Sequence, residues 1–117
     1  LKVHGDGTQS RCFGHVRDIV PALLALMESR EAEGLAVNLG SLEEITILGL
    51  ARLVIERSGS SSKVQLIPYQ DVYVGGFEDM PRRVPDINRA RKLIGFEPVT
   101  TLAETVDSMI DDARRRH

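Results

Sequence analysis

The sequence predicts an α/β domain with few short strands and about four helices. Two observations indicate this fold class. Short apolar runs bounded by glycine, serine or proline are typical of buried strands. Longer segments, in which apolar residues recur every three or four positions, are typical of helices that pack on one face. The chain has 117 residues, of which 42 % are hydrophobic, and this suits one domain with its own core.

The first half of the chain contains three candidate strands and two predicted helices. Residues 1–4 are extended and lead into a glycine turn, and residues 11–15 are a second short strand. Asp18 is the predicted N-cap of the first helix. Residues 35–39 are a compact apolar run, which predicts a buried strand. The apolar face of the first helix consists of Ile19, Val20, Leu23, Leu24 and Met27.

The second helix has two candidate N-caps. Thr46 directly precedes the helix, whereas Ser41 is followed three residues later by Glu44, as in a capping box. Gly49 lies inside this helix at a cost of about 1 kcal/mol relative to alanine, and the local sequence offers no reason for it. The apolar face of the helix comprises Ile47, Leu50, Ala51 and Val54.

The second half of the chain adds a strand and two helices. Residues 63–67 alternate polar and apolar side chains, which predicts a strand. Residues 69–85 lack a clear period and are interpreted as the longest loop. Residues 86–95 predict a third helix with an aspartate N-cap and a closing glycine. Thr101 and Glu104 form a predicted capping box for the last helix. Its predicted inward residues are Leu102, Val106, Met109 and Ile110.

Composition and charge exclude several classes of function. The net charge of −2 and the absence of tryptophan argue against a nucleic-acid partner. Cys12 is the single cysteine, so neither an internal disulfide nor a cysteine zinc site is predicted. No apolar stretch is long enough to cross a bilayer, and no signal peptide is recognisable. We therefore expect a cytoplasmic protein that binds neither membrane nor nucleic acid.

A metal site and a P-loop are both disfavoured near the amino terminus. His4, Cys12 and His15 are close in sequence, but their spacing matches no usual zinc pattern. Gly5 and Gly7 are not followed by the lysine of a P-loop or by the third glycine of a dinucleotide fingerprint. The two glycines therefore predict a turn, with neither a metal nor a bound cofactor.

Three arginines in or beside predicted loops are candidates for phosphate binding. A planar guanidinium group donates two parallel hydrogen bonds, which suits phosphate oxygens. The alternative is an ion pair with a nearby carboxylate, such as that of Asp79 or Asp86. Composition and spacing leave both interpretations open for Arg11, Arg82 and Arg83.

Three segments, in order along nearly the whole chain, resemble the carboxy-terminal part of the extended short-chain dehydrogenases. They are GDGTQSRCFGHVRD at 5–18, VNLGS at 37–41 with EEITI at 43–47, and RRVPDI at 82–87 followed by LIGFEP at 93–98. This family comprises nucleotide-sugar epimerases, dehydratases and UDP-glucuronate decarboxylases. The resemblance implies that the chain is the substrate-binding portion of an extended Rossmann-type enzyme.

The resemblance also implies roles for five positions. In relatives, the arginines that match Arg11 and Arg83 bind the substrate diphosphate. The asparagine that matches Asn38 helps to shape the nucleotide pocket, although a polar residue at a strand end also commonly bonds to the backbone. The segment that matches Val3 and His4 lies along the uracil or thymine ring, where relatives often carry tyrosine or phenylalanine instead of a histidine.

The catalytic features of the family are absent from this sequence. The family binds NAD on a glycine-rich βαβ half and reacts through a Tyr-x-x-x-Lys pair. Here Tyr69 is followed four residues later by Tyr73, and Tyr73 by Phe77, so neither tyrosine has the lysine. Residues 1–117 are therefore interpreted as one substrate-binding domain of a longer enzyme whose NAD-binding Rossmann half is absent, which fits a chain that begins with Leu1.

The resemblance implies that the parent protein is an NAD-dependent nucleotide-sugar epimerase or dehydratase and that this part alone is inactive. The expected ligand is a UDP- or dTDP-sugar held by its nucleotide diphosphate, and NAD would be bound only by the missing half. Without that half, an apolar face should be exposed and the chain should self-associate into a homo-oligomer. The alternative is a non-catalytic module that binds a nucleotide or a partner protein.

Overall fold

The computed structural model describes residues 1–72 and 79–116, which form five short strands and four α-helices. The α/β class with few strands and four helices is therefore confirmed for this part of the chain. In chain order the elements are β1 (Lys2–His4), β2 (Ser10–Cys12), α1 (Val16–Glu28), β3 (Glu44–Thr46), α2 (Ile47–Ser58), β4 (Gln65–Ile67), β5 (Arg82–Arg83), α3 (Asn88–Ile94) and α4 (Leu102–Arg116), with single 3-10 turns at Arg30–Ala32 and Tyr69–Asp71.

The strands form two small sheets. β1 and β4 pair in parallel, with Val3 opposite Leu66. The second sheet has the order β3-β2-β5, in which β2 is antiparallel to β3 and parallel to β5. Arg11 at the centre of β2 stands opposite Ile45 on one side and Arg83 on the other. This register places two of the predicted phosphate-binding arginines side by side.

The main core lies where α1 packs against α3. Its buried residues are Ala22, Ile87, Ala90 and Phe96. Ile87 is 2 % exposed and is the largest fully buried side chain among the described residues. Half-buried apolar side chains from α1, the 37–39 segment and α3 surround this cluster. The core therefore lies directly beneath the segments that line the candidate site described below.

The predicted N-caps of α2 and α4 and the predicted end of α3 are confirmed, whereas the N-cap of α3 is Ile87 instead of the predicted Asp86. Thr46, one of the two candidates, is the N-cap of α2, because its Oγ1 accepts the N–H of Gly49 at 3.0 Å. A Cβ at Gly49 would lie 2.9 Å from that same oxygen, which explains the glycine inside the helix. The capping box of Thr101 and Glu104 is confirmed, with the N–H of Thr101 donating to Glu104 Oε2 at 2.8 Å. Gly95 ends α3 in the left-handed conformation, at φ 65°.

The predicted strand at 35–39 is wrong. Val37 and Leu39 are half-buried while Leu35 is exposed, so the side chains alternate as in a strand, but this segment pairs with no strand of the described chain. It is held instead by side chains: Arg89 Nη1 donates to the carbonyl of Ala36 at 2.7 Å. A compact apolar run does not by itself make a buried strand, because a strand also needs a partner for its backbone.

Two details of the helices also differ from expectation. Helix α1 begins at Val16, and its N-cap is His15, whose Nδ1 accepts the N–H of Arg17 at 3.0 Å. Asp18 lies in the first turn and accepts the N–H of Thr100 at 3.0 Å, because α4 is brought close by the fold. Several apolar side chains of the predicted inward faces are exposed, namely Val20, Leu23, Leu24, Met27 and Met109.

The described residues of the predicted long loop at 69–85 include regular structure that the sequence did not indicate. They contain the Tyr69–Asp71 turn and strand β5. Tyr73 and Phe77, which decide the absence of the Tyr-x-x-x-Lys pair in the sequence, lie outside the described residues. None of the helices in the described segments combines the length and the apolar character needed to cross a membrane.

Candidate functional site

A pocket of about 820 Å³ lies beside the three-stranded sheet and is the candidate functional site. Three of the five predicted site residues line it: Arg11, Asn38 and Arg83. Since Arg11 and Arg83 are register partners on neighbouring parallel strands, their side chains leave the same face of the sheet. The apolar part of the lining comprises Ile19, Val37, Leu39 and Pro85.

Glycines allow the loops around this pocket to approach one another closely. A Cβ at Gly40 would lie 3.0 Å from Cγ of Pro85, and one at Gly14 would lie 3.2 Å from Cδ1 of Ile19. Such distances are too short for an ordinary side chain in these places without displacing a neighbour. Gly14 and Gly40 therefore let the loops after β2 and before β3 close over the core and form one side of the pocket.

Arg11 is held rigidly at the edge of the pocket. Its Nη1 donates to the carbonyls of Ser10 at 2.6 Å and Met80 at 2.8 Å, and its Nη2 pairs with Asp79 Oδ1 at 2.5 Å. The side chain of Arg11 is only 16 % exposed. The ion pair that was the alternative to phosphate binding is thus present. It leaves Nε and one Nη2 hydrogen without a partner among the described residues, so the guanidinium group still has two N–H groups to donate to a ligand.

Asp79 belongs to a longer hydrogen-bonded chain. Its Oδ2 accepts the hydroxyl of Tyr69 at 3.1 Å, and that hydroxyl accepts Gln9 Nε2 at 2.8 Å. Gln9 also donates to the carbonyl of His4 at 3.0 Å. Burial, followed by the hydrogen bond to Asp79, raises the pKa of Tyr69 above its ordinary value. We call Gln9, Tyr69 and Asp79 the support network of Arg11.

Sequence reasoning missed the roles of Gln9 and Tyr69. Gln9 stands inside the GDGTQSR segment and Tyr69 follows the strand β4, but they are 60 residues apart. No periodicity or spacing rule connects such positions. The only signal was that Gln9 belongs to a motif shared with a known family.

Arg82 and Arg83 have opposite surroundings although they are neighbours in the chain. Arg82 leaves the other face of the sheet and makes a two-pronged ion pair with Glu44, with Nε–Oε1 and Nη2–Oε2 distances of 2.9 Å each. Ser10 also donates to Glu44. Arg83 is exposed and its side chain makes no hydrogen bond or ion pair within residues 1–72 and 79–116. Arg82 is therefore structural, whereas Arg83 has a guanidinium group available to a ligand.

The Glu44–Arg82 pair predicts a pH dependence of stability. Hydrogen bonds from Arg82 and then from Ser10 lower the pKa of Glu44. A lowered pKa in the folded state means that the stabilisation is complete above the ordinary glutamate pKa of about 4.3 and is lost as the pH falls through the lowered value. We expect Glu44→Gln to be less stable than the wild type at neutral pH and to converge with it in strong acid.

Chemical denaturation at a series of pH values between about 7 and 2.5 would measure this difference. Glu31→Gln is the matched control, because Glu31 is exposed and makes no ion pair in the described part of the chain. A constant offset between Glu44→Gln and the wild type at every pH would contradict the prediction.

The remaining predicted site residues differ in position. Asn38 lines the pocket and its Nδ2 donates to the carbonyl of Asp86 at 3.4 Å, so the backbone bond expected as the alternative is present, although long. Val3 is 3 % exposed and belongs to the interior, and His4 is half-buried at the end of β1. Neither lines this pocket. No cluster of three or more metal-ligating side chains occurs in residues 1–72 and 79–116.

Comparison with known proteins identifies the family. The sequence profile of GDP-mannose 4,6 dehydratase matches residues 1–109. UDP-glucuronic acid decarboxylase 1 of Danio rerio is 40 % identical over 110 residues, which are 94 % of this chain and 24 % of that protein. The chain spans about a quarter to a third of the length of the curated relatives that it matches.

Solved structures share the fold. An epimerase from Methanothermobacter thermautotrophicus aligns with a TM-score of 0.87 at 29 % identity, over 99 % of this chain and 33 % of the other. UDP-glucuronic acid 4-epimerase from Bacillus cereus, solved with UDP-glucuronic acid and NAD, aligns with a TM-score of 0.84 at 24 % identity, over 100 % of this chain and 36 % of the other. The chain therefore belongs to the GDP-mannose 4,6-dehydratase family of nucleotide-sugar epimerases and dehydratases, as its motifs predict.

Proposed function

We propose that this chain binds the nucleotide-diphosphate part of a UDP- or dTDP-sugar for an NAD-dependent epimerase, dehydratase or decarboxylase. The observation that supports this best is the register of β2 and β5, which aligns Arg11 with Arg83 at one pocket. Neighbouring strands are about 4.8 Å apart, so two guanidinium groups on them are spaced to reach the two phosphates of one diphosphate. The decarboxylases and epimerases among the relatives act on ligands of this kind.

The shape and lining of the pocket support the same ligand class. Its volume of about 820 Å³ lies within the range of small-molecule sites. Two arginines provide positive charge on one side, while the side chains of Val37 and Leu39 provide an apolar wall. Anchoring the diphosphate would supply binding energy remote from the sugar, and an enzyme uses such energy to orient the reacting group.

The base would lie along the Val3–His4 segment, as the family resemblance implies. Since the side chain of Val3 is buried, contact with a pyrimidine ring would come from His4 and from the backbone of the segment. His4 is linked to the support network of Arg11, because its carbonyl accepts a hydrogen bond from Gln9 Nε2, which also donates to the Tyr69 hydroxyl.

NAD does not fit the residues of this chain. The sequence contains neither a G-x-G-x-x-G segment nor a Tyr-x-x-x-Lys pair. The Bacillus cereus epimerase with the same fold is a complex with NAD. We propose that NAD is bound by residues outside these 117 and that the chain alone has no epimerase, dehydratase or decarboxylase activity, so no step of hydride transfer is assigned to it.

A comparison of Arg83→Ala with Arg82→Ala tests the proposal. We expect Arg83→Ala to weaken UDP binding about tenfold, since one hydrogen-bonded charge contact to phosphate is lost. Arg82→Ala removes the same charge from the opposite face of the sheet and should leave UDP affinity within about twofold. Isothermal titration calorimetry with UDP measures both variants.

Uridine, which has no phosphate, is the matched control ligand. The wild-type chain should bind UDP far more tightly than uridine, and Arg83→Ala should not change the affinity for uridine. Equal affinities of the wild type for UDP and uridine would contradict a diphosphate site. Equal losses in Arg82→Ala and Arg83→Ala would show a general charge effect instead of a contact.

A further inference from the structure

We infer that Asp79 and Tyr69 are positioning residues that hold the guanidinium group of Arg11 in the orientation in which it receives the diphosphate. This inference adds two residues to the proposed diphosphate site of Arg11 and Arg83, and it rests on the proposed function of that pocket. The observation behind it is the hydrogen-bonded chain from Arg11 through Asp79 and Tyr69 to Gln9.

The first support is the pattern of donors that Arg11 uses. Both hydrogens of Nη1 have carbonyl partners, those of Ser10 and Met80, and one hydrogen of Nη2 goes to Asp79. Nε and the second Nη2 hydrogen remain, with no partner among the described residues. Rotation of the guanidinium plane would break three bonds at once, so the unused donors keep their direction. A ligand then does not have to immobilise this side chain, which is a usual cost of binding.

The second support is that Asp79 is itself fixed. Its second oxygen accepts the Tyr69 hydroxyl, and that hydroxyl accepts Gln9. The Tyr69 ring lies directly on the backbone of Gly5, where an added Cβ would be 2.5 Å from Cε2 of the ring. Gly5 also has φ 76°, a conformation that favours glycine. The turn after β1 thereby determines where Tyr69, Asp79 and finally Arg11 are placed.

A competing role for Asp79 is that of an internal anion that occupies Arg11 until phosphate displaces it. The bonds of the ion pair favour positioning instead. Asp79 takes only one of the five N–H groups of Arg11 and leaves Nε and one Nη2 hydrogen unused among the described residues. Its other oxygen is held by Tyr69, so it would have to break two interactions to leave. The two roles predict opposite effects of removing the carboxylate, which makes them separable by experiment.

The experiment measures UDP and uridine binding by the whole chain and by three variants. Tyr69→Phe removes only the hydroxyl, Asp79→Ala removes the partner of Arg11, and Asp79→Asn keeps the shape but removes the charge. Asp107→Asn is the matched control, since Asp107 forms an ion pair with Arg57 away from the pocket. Calorimetry determines the affinity for UDP, and ligand-observed NMR determines the weaker affinity for uridine.

We expect Tyr69→Phe and Asp79→Ala to weaken UDP binding about three- to tenfold, the cost of ordering one long side chain. Asp79→Asn should lose less than Asp79→Ala, because its amide oxygen still accepts from Arg11. The uridine affinity of Tyr69→Phe and Asp79→Ala should equal that of the wild type, because uridine makes no contact with Arg11. A merely structural role would lower the affinities for UDP and for uridine together.

Two results would overturn the inference. The first leaves the proposed diphosphate site intact, and the second overturns that site as well. If the wild type prefers UDP to uridine, but Tyr69→Phe and Asp79→Ala bind UDP as tightly as the wild type or more tightly, the support network does not position Arg11, and the diphosphate site stands. If the wild type does not prefer UDP to uridine, the proposed function and the positioning role both fail.

Discussion

Replacement of Arg11 by alanine is expected to reduce UDP affinity by at least about thirtyfold, through loss of a charge-assisted donor fork in a partly desolvated site. The same change should lower the free energy of unfolding by about 1–3 kcal/mol, because it removes the partner of a largely buried carboxylate. Arg11 is 16 % exposed and Asp79 is 23 % exposed, so water screens this pair only in part. Calorimetry with UDP and urea denaturation measure the two effects separately.

Arg11→Lys is the informative companion variant. A lysine keeps the positive charge but lacks the planar fork and cannot reach the carbonyls of Ser10 and Met80 together with Asp79. Its UDP affinity should lie between those of the wild type and Arg11→Ala. Wild-type affinity in Arg11→Lys would show that charge alone matters, and an unchanged affinity in Arg11→Ala would remove Arg11 from the site.

The second large effect concerns stability. Ile87→Ala should lower the free energy of unfolding by about 2–5 kcal/mol, the usual cost of truncating a buried isoleucine. Ile87 is 2 % exposed and packs with Ala22, Ala90 and Phe96 in the main core. Since a domain of ordinary size is stable by only about 5–15 kcal/mol, the variant would lose a large share of its stability. Urea or guanidinium denaturation, followed by circular dichroism, measures the change.

The control for this variant is Val99→Ala. Val99 is also β-branched but 79 % exposed, so its truncation should change stability by no more than about 0.5 kcal/mol. A loss for Ile87→Ala as small as that for Val99→Ala would mean that the α1–α3 contact is not the principal core. Ile87 follows Asp86, which lines the pocket, so UDP affinity should also fall in Ile87→Ala.

Local chemistry was predictable because it depends on residues that are close in sequence. A capping box requires only that two suitable residues, here Thr101 and Glu104, stand three positions apart. A glycine such as Gly95 is favoured directly after the last residue of a helix because it adopts the left-handed conformation easily. The same local rules failed at Asp18, because His15 is the N-cap of α1. The carboxylate of Asp18 instead accepts a hydrogen bond from the backbone N–H of Thr100, which is distant in the chain. These rules failed again at residues 35–39, because a compact apolar run does not show whether another strand is available as a partner.

The sequence indicated part of the lining of the candidate pocket but not its arrangement, and Val3 and His4 do not line it. The motifs identified Arg11, Asn38 and Arg83, and the fold brings these three to one pocket. The motifs did not show that Arg11 is already paired with Asp79 or that Tyr69 and Gln9 stand behind that pair. The motifs also did not distinguish the roles of Arg82 and Arg83, although the two side chains lie on opposite faces of the sheet.

The sequence by itself determined the family, the α/β class and several helix ends, and it named the candidate residues for a phosphate site. Each of these depends on short-range pattern, which the chain carries in its order of residues. Only the tertiary structure decided that β2 and β5 lie side by side, and so that Arg11 and Arg83 share a pocket although they stand 72 positions apart in the chain. A strand could pair with any of several distant segments, and the packing of the whole chain determines which pairing forms.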